Sequence, residues 1–298
     1  MEGPRIYSQE LYDRLIHWRI TMRVVVTGGS GKAGSAIIPD LLEHGHDVLS
    51  VDTAPRDGST PFMRANVTDF GQTLSVLNGA DWVIHMAAIP SPVFNPPEVV
   101  FSTNTVSTWN VLQAAEVLGI TKLVLASSVN AVGLVFSRET VPPQYLPIDE
   151  EHPTRAEDSY SLSKLVGEEI ADGFCRKNPM QIASLRFHGL RRDDDLKEFR
   201  ASPEMDPLPG AKSLWGYLRL YDAARACRMA LEADWEGHEA FFLNASDTTL
   251  GLPTEEAVAA AYPGVPLSKP LPGFQAAIDC SKAQRFFGWE STGSWRDM

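Results

Sequence analysis

From Arg23 onward, short runs of β-branched residues alternate with longer stretches in which apolar side chains recur at helical spacing. That alternation predicts βαβ units stacked into a parallel sheet. The strands are expected at Val24 to Thr27, Asp47 to Asp52, Phe62 to Asn66, Trp82 to Met86, Lys122 to Ser127, Ile182 to Phe187 and Ala240 to Leu243. Between them the pattern predicts helices at Lys32 to His44, Asp69 to Leu77, Pro97 to Leu118 and Asp158 to Lys177. Past Arg186 the rhythm loosens into Pro203, Pro207, Pro209, Gly210 and a charged run, Arg191 to Asp195, that reads as a solvated loop. Helical spacing returns at Tyr221 to Ala233, Thr254 to Tyr262 and Asp279 to Phe287. The expected architecture is therefore α/β: a Rossmann-type, doubly wound parallel sheet over residues 22–186, joined by a returning strand near 240–243. A smaller, mostly helical, substrate-binding cap is expected over 187–298, and an N-terminal extension over 1–21, with Met22 as an alternative start. No period of 20 to 50 residues marks an internal repeat.

Composition narrows the class. At 298 residues, with 44% hydrophobic and 21% charged, the chain can bury a core, which excludes collagen-like and wholly disordered readings. A net charge of -12 with no basic patch disfavours nucleic acid as a partner. Cys175, Cys227 and Cys280 are odd in number and form no CxxC pair, so neither a disulfide framework nor a zinc site is expected, and no other metal site is. His44 and His46, flanking Gly45, are expected to be solvated. Without a leader pattern or an apolar run of about 18 residues, the chain is expected to be cytoplasmic and free of membrane spans.

The first strand runs into Thr27-Gly28-Gly29-Ser30-Gly31-Lys32-Ala33-Gly34, and an apolar helix follows. Gly28 permits the tight turn, Gly31 lets the backbone approach a pyrophosphate, and Gly34 lets the helix pack on the sheet. The helix N-terminus then turns N–H groups and a positive dipole end toward phosphates. Asp52, ending the second strand, offers a carboxylate to a ribose 2'-hydroxyl. Dinucleotide binding is expected, NAD before NADP, because Asp52 repels a 2'-phosphate. Lys32 and Arg56 are the cations that leave NADP open.

Tyr160 and Lys164 lie one helical turn apart. A phenol titrates near 10, and a neighbouring ammonium together with a cationic nicotinamide would favour the phenolate. Lowering it by about three units takes roughly 4 kcal/mol of differential interaction. Ser127 and Ser128 fall at the C-terminal end of the fifth strand, where open α/β sheets bind ligands.

Gly28, Gly31, Gly34, Asp52, His85-Met86-Ala87-Ala88, Asn104, Ala126-Ser127-Ser128, Tyr160 and Lys164 together resemble the extended short-chain dehydrogenase/reductase family, the NAD-dependent epimerases and dehydratases. The match runs from Val24 to about Arg186, and more weakly through Tyr217 to Ala224 and Asp279 to Trp289. The resemblance implies a catalytic set of Ser128, Tyr160 and Lys164. It implies cofactor contacts at Asn66 and Val67 beside the adenine, at Met86, Ala87 and Ala88, and at Asn104. Tyr160, Lys164 and the glycine-turn residues Ser30, Lys32 and Ala33 join that set.

Departures from the family pattern guide the choice of reaction. Val129-Asn130 stands where dehydratases carry an Asp-Glu pair. His188-Gly189 and Trp215 stand where nucleotide-sugar epimerases carry an Asn and an Arg, and a diphosphate needs such paired donors. The leading expectation is an NAD-dependent oxidoreductase acting on a free sugar or sugar acid, similar to uronate dehydrogenases. A nucleotide-sugar 4-epimerase and a non-catalytic NAD(P) sensor are the alternatives. Substrate contacts are expected at Ser91, Ser128, Asn130, His188 and Trp215. The plainer roles are a loop for Ser91, a turn for Asn130, a strand cap for His188 and core filling for Trp215. Arg186 is expected to be tied to a carboxylate, His85 to orient a loop, and Trp289 to pack against the core. The family resemblance also implies a homodimer through the two long helices.

Overall fold

The computed structural model describes residues 21–55 and 58–298. The extension expected over 1–21 lies outside them except for residue 21, and so does Arg56. The strands are β1 (Arg23–Thr27), β2 (Asp47–Asp52), β3 (Phe62–Arg64), β4 (Trp82–His85), β5 (Lys122–Ser128), β6 (Gln181–Phe187), β7 (Leu190–Arg191), β8 (Leu218–Arg219) and β9 (Gly237–Leu243). Seven of them make one parallel sheet in the order β3-β2-β1-β4-β5-β6-β9, and β7 pairs with β8 apart from it. The chain reverses its direction of winding between β1 and β4, so a crevice opens at their C-terminal ends, where doubly wound sheets take ligands.

The helices are α1 (Gly34–Glu43), α2 (Phe70–Leu77), α3 (Pro97–Leu118), α4 (Ser159–Lys177), α5 (Asp193–Ala201), the single turn α6 (Pro207–Gly210), α7 (Leu220–Glu232), α8 (Thr254–Ala261) and α9 (Ser281–Phe287). Their ends follow side-chain chemistry. The Asp69 carboxylate accepts from Gln72 N at 2.9 Å to open α2, and Asp158 accepts from Tyr160 N and Ser161 N, both at 3.0 Å, to open α4. Pro97 starts α3, and Gly119, with φ 74°, ends it.

Both faces of the sheet are covered. Val24 and Val26 turn one way, into a core with Ile37, Ile38 and Leu41 of α1 and Ala223 to Leu231 of α7. Val25 turns the other way, toward Val111 and Leu112 of α3 and Phe174 of α4. A third cluster, which includes Trp215, Tyr262 and Leu271, fills the C-terminal part. Trp289 is fully buried in the first core, and its indole N–H donates to Asp222 O at 2.9 Å.

Three local expectations are corrected. The charged run 191–195 is not a loop: β7 ends at Arg191, and Asp193, Asp194 and Asp195 form the first turn of α5, where carboxylates oppose the positive end of the helix dipole. The third strand stops at Arg64, and Asn66 lies beyond it. His46 is buried rather than solvated, its ring 5.3 Å from that of Trp82 and its Nε2 3.5 Å from Glu232.

Candidate active site

The turn after β1 is shaped by close approach. Gly28 has φ 69°, and a Cβ there would stand 2.6 Å from Ala87 N. Only glycine lets the turn lie against the chain leaving β4. Gly34 has an ordinary φ but no room: a Cβ would lie 2.4 Å from Gly29 O. Asp52 closes the far side, where one carboxylate oxygen accepts from Ser30 N at 3.1 Å and the other from Thr53 N at 2.7 Å. A cavity of about 270 Å³ follows, walled by Gly28, Gly31, Asp52, Asn66, Val67 and the chain from Met86 to Ile89. Val51, Thr53, Ala65, Thr68, Thr103 and Ser107 also line it without having been marked by the sequence. Thr103 and Ser107 lie one turn apart on α3, a spacing that could have flagged them. The glycine turn, the carboxylate and this cavity fit a dinucleotide.

Gly28, Gly31, Met86 and Ala88 also wall a second cavity of about 480 Å³. Its remaining wall includes Lys32, Ala33, Ser128, Asn130, Phe136, Lys164, Phe187, His188 and Ser213. Here β5 and α4 meet. Tyr160 and Lys164 are both buried, the Lys164 ammonium lies 5.6 Å from the phenol ring centroid, and it donates to Ala126 O at 2.7 Å. The Ser128 hydroxyl stands close enough to the Tyr160 phenol to act on its titration. The structure thus brings the three expected catalytic groups into one corner.

Electrostatics refine the expectation of an acidic phenol. Burial raises the Tyr160 phenol above its ordinary 10, opposed by the Ser128 hydroxyl. Burial also lowers the Lys164 ammonium to about 8, opposed by the negative charge of Glu168. By its own groups the chain does not make the phenol acidic. His85, lowered to about 3 by burial and then by Lys164, is a neutral ring whose Nδ1 lies 2.7 Å from Thr27 Oγ1; it braces the start of the 86–89 loop.

Several candidates turn out to be braces. The Asn104 side chain, 2% exposed, accepts from Ile89 N at 2.8 Å and donates to Ile89 O and Ser163 Oγ, so its amide holds the loop rather than facing the dinucleotide cavity. Ser30 is engaged with Asp52 and, through its hydroxyl, with Ala54 O. His188 lines the second cavity, but both ring nitrogens are committed: Nδ1 accepts from Gly189 N and Nε2 lies 2.9 Å from Ser213 O. Burial lowers it to about 4, so it stays neutral and ties the end of β6 to the cap. Trp215 is 1% exposed, with its indole N–H on Pro207 O, and cannot offer a stacking face to a sugar. Ser91 lies outside the cavity wall, accepting from Val93 N. Asn130 does line the cavity, and its buried Oδ1 has no partner. Ser213 joins it there unanticipated. Arg186 is tied to the Glu168 carboxylate through Nε and Nη2. Among the described residues no cluster of His, Cys, Asp or Glu could hold a metal ion, and no helix is long and apolar enough to cross a membrane.

Comparison with known proteins agrees with this geometry. The chain is 27% identical over 216 residues to an L-arabinose 1-dehydrogenase (NAD(P)(+)) of Haloferax volcanii, covering 71% of this chain and 83% of the relative. It is 26% identical over 259 residues to a UDP-glucose 4-epimerase of Corynebacterium glutamicum, covering 76% of each. The fold matches that of UDP-glucose 4-epimerase from Bifidobacterium longum, solved in complex with NAD+ and UDP, with a TM-score of 0.69 and 24% identity over 93% of this chain and 95% of the other. The model of the NAD dependent epimerase/dehydratase family matches residues 24–190, more than half of the chain, so the protein belongs to that family.

Proposed function

We propose that the protein is an NAD-dependent oxidoreductase that removes hydride from a hydroxyl of a free sugar or sugar acid. The observation that carries this is the wall of the second cavity beyond Ser128. Among the described residues it offers neutral polar groups, Asn130 and Ser213, beside the apolar Val135, Phe136 and Phe187, and no arginine. Its two cations, Lys32 and Lys164, sit at the glycine turn and beneath the phenol, away from where a second diphosphate would need donors. A compact polyol with one or no charge suits that wall better than a nucleotide sugar.

NAD, when bound, would accept the hydride and place a positive charge beside the phenol. Gly28, Gly31, Asp52, Asn66, Val67 and Met86 to Ala88 would hold it, with Lys164 reaching its ribose. Ser128 orients the reacting hydroxyl and donates to the charge developing on its oxygen. Tyr160, as the phenolate that the Lys164 ammonium and an oxidised nicotinamide would stabilise, takes the proton from that hydroxyl at Oη, and the bond of Lys164 to Ala126 O fixes the ammonium's position. The Asn130 side chain, in the same wall, bonds a second substrate hydroxyl. Asp52, beside the glycine turn, selects NAD over NADP.

The test is a panel of aldoses, aldonates and uronates with NAD, followed at the NADH absorbance band, beside UDP-glucose and UDP-galactose. Stoichiometric NADH with a free sugar or sugar acid is expected. UDP-sugar interconversion on retained cofactor, without net NADH, would instead establish the epimerase reading, which the Corynebacterium relative favours. We further propose a homodimer in the cytoplasm. Phe101, Val106 and Trp109 of α3 are exposed apolar side chains that a second copy would cover, and light scattering tests the assembly.

A further inference from the structure

Three consecutive residues of β5 face three successive turns of α4: Ser128 lies by Tyr160, Ala126 O accepts from Lys164, and the Ser127 hydroxyl donates to Glu168 Oε1 at 2.5 Å. The Glu168 carboxylate also receives a fork from Arg186 of β6, Nε to Oε1 at 3.0 Å and Nη2 to Oε2 at 2.8 Å. Glu168 and Arg186 are 6% and 5% exposed, and the buried Arg186 Nη1 has no hydrogen-bond partner. A buried ion pair of this kind adds little net stability against an apolar pair, because desolvation cancels much of its attraction. Its placement is another matter. One carboxylate joins the strand that ends in Ser128, the helix that carries Tyr160 and Lys164, and the strand whose next residue, Phe187, walls the substrate cavity.

We propose that Glu168, clamped by Ser127 and Arg186, is a positioning residue: it supplies the negative charge beside Lys164 and sets the spacing between Ser128 and the Tyr160–Lys164 pair. This rests on the catalytic roles given above. Lys164 and Glu168 share the wall of a small polar chamber behind the active site. The titratable groups facing Lys164 are Tyr160 and Glu168 from its own helix and His85 from β4; His85 is neutral and β5 presents only a carbonyl and hydroxyls. Glu168 is thus the one anion there that favours the ammonium, offsetting burial.

The test compares Glu168→Gln, the charge-neutral pair Glu168→Gln/Arg186→Met, and Ser127→Ala in the full chain. Lys164 is titrated by NMR of carbon-13-labelled lysine, with no substrate present, and the turnover and NAD affinity are measured separately. Glu168→Gln is expected to lower the Lys164 titration and the alkaline limb of the activity profile together, by about one pH unit or more. It should reduce kcat at least tenfold while leaving the NAD dissociation constant within threefold. The double variant removes the uncompensated guanidinium and should recover thermal stability but not kcat. Ser127→Ala, which leaves the ion pair whole, should lose kcat several-fold with little change in melting temperature. Recovery of kcat together with stability in the double variant, or an unmoved Lys164 titration in Glu168→Gln, would overturn the proposal. If no substrate in the sugar panel is turned over, the lysine titration still decides it, so failure of the sugar reading is told apart from failure of this one.

Discussion

Gly34→Ala separates packing from chemistry at the glycine turn. The added methyl would stand 2.4 Å from Gly29 O, 2.6 Å from Gly29 Cα and 2.7 Å from Gly29 C. All three are backbone atoms, so no side chain can swing aside. Restoring ordinary contact requires α1 and the turn to part by about 1 Å. Gly34 needs no left-handed conformation, so the cost is steric, of the order of 1–3 kcal/mol as for other overpacked sites. With an unfolding entropy of about 2.1 cal/mol/K per residue, 298 residues give about 0.6 kcal/mol/K, and the expected fall in Tm is about 2–5 °C. The displaced turn should also weaken NAD binding about tenfold, or 1.4 kcal/mol. Gly31→Ala provides the contrast. Its methyl meets only Gly28 O, at 3.2 Å, yet Gly31 walls both cavities. Its Tm should stay within about 1 °C of the parent while NAD affinity falls at least as far as in Gly34→Ala. Thermal melts and calorimetric NAD titrations of the two proteins provide the comparison. Parental stability in Gly34→Ala, or the same ratio of stability loss to affinity loss in both, would refute the assignment of a packing role to one glycine and a binding role to the other.

Two further outcomes follow from the site. Tyr160→Phe removes the oxygen that takes the substrate proton and leaves the ring against Phe136, 6.2 Å away; kcat should fall about 100-fold or more with NAD binding retained, and undiminished turnover would remove Tyr160 from the chemistry. The second concerns acid stability. His85 and His188 titrate in the folded chain at about 3 and about 4, below the ordinary 6.5, so between pH 6.5 and about 4 the unfolded chain binds more protons and stability rises with pH. Their contribution is complete above pH 6.5 and is lost on acidification through that window, at about 1.4 kcal/mol per pH unit for each histidine. Melts at pH 7 and pH 5 should show the drop, and His188→Gln should remove about half of its slope; a flat Tm across that range would contradict the burial of both rings as neutral groups.

What the sequence disclosed is what local chemistry controls. Alternating strands and helices, the helix starts at Asp69 and Asp158, and the glycine turn are each written in a few neighbouring residues, and the folded chain carries them with shifts of a residue or two at the ends. The acidic first turn of α5, read from the sequence as a loop, was legible there too, since three aspartates in a row suit a helix N-terminus. The cap is different. Leu214 and Trp215 both take left-handed backbone conformations, φ 52° and 54°, a choice made by the core that Trp215 fills and by no signal in their own residue types.

Polar residues in the site pose the sharper limit. A buried polar group must find a hydrogen-bond partner whether that partner is a ligand or the chain itself, and the residue type is the same in either case. Asn104, His188 and Asn130 were indistinguishable as candidates on that ground. In the folded chain the first two have their donors and acceptors taken by backbone and by Ser163, whereas Asn130 lines the cavity and its Oδ1 has no hydrogen-bond partner. An unpaired buried acceptor costs about 1–3 kcal/mol, and a substrate hydroxyl donating to Asn130 would relieve that cost. Asn130→Ala should therefore raise KM for the true substrate by about tenfold or more with little loss of stability, whereas His188→Gln should lower stability and leave KM near the parental value. Steady-state kinetics and melts of the two variants measure this, and the opposite pattern would mean that hydrogen-bond satisfaction in the folded chain is the wrong criterion for telling a brace from a ligand.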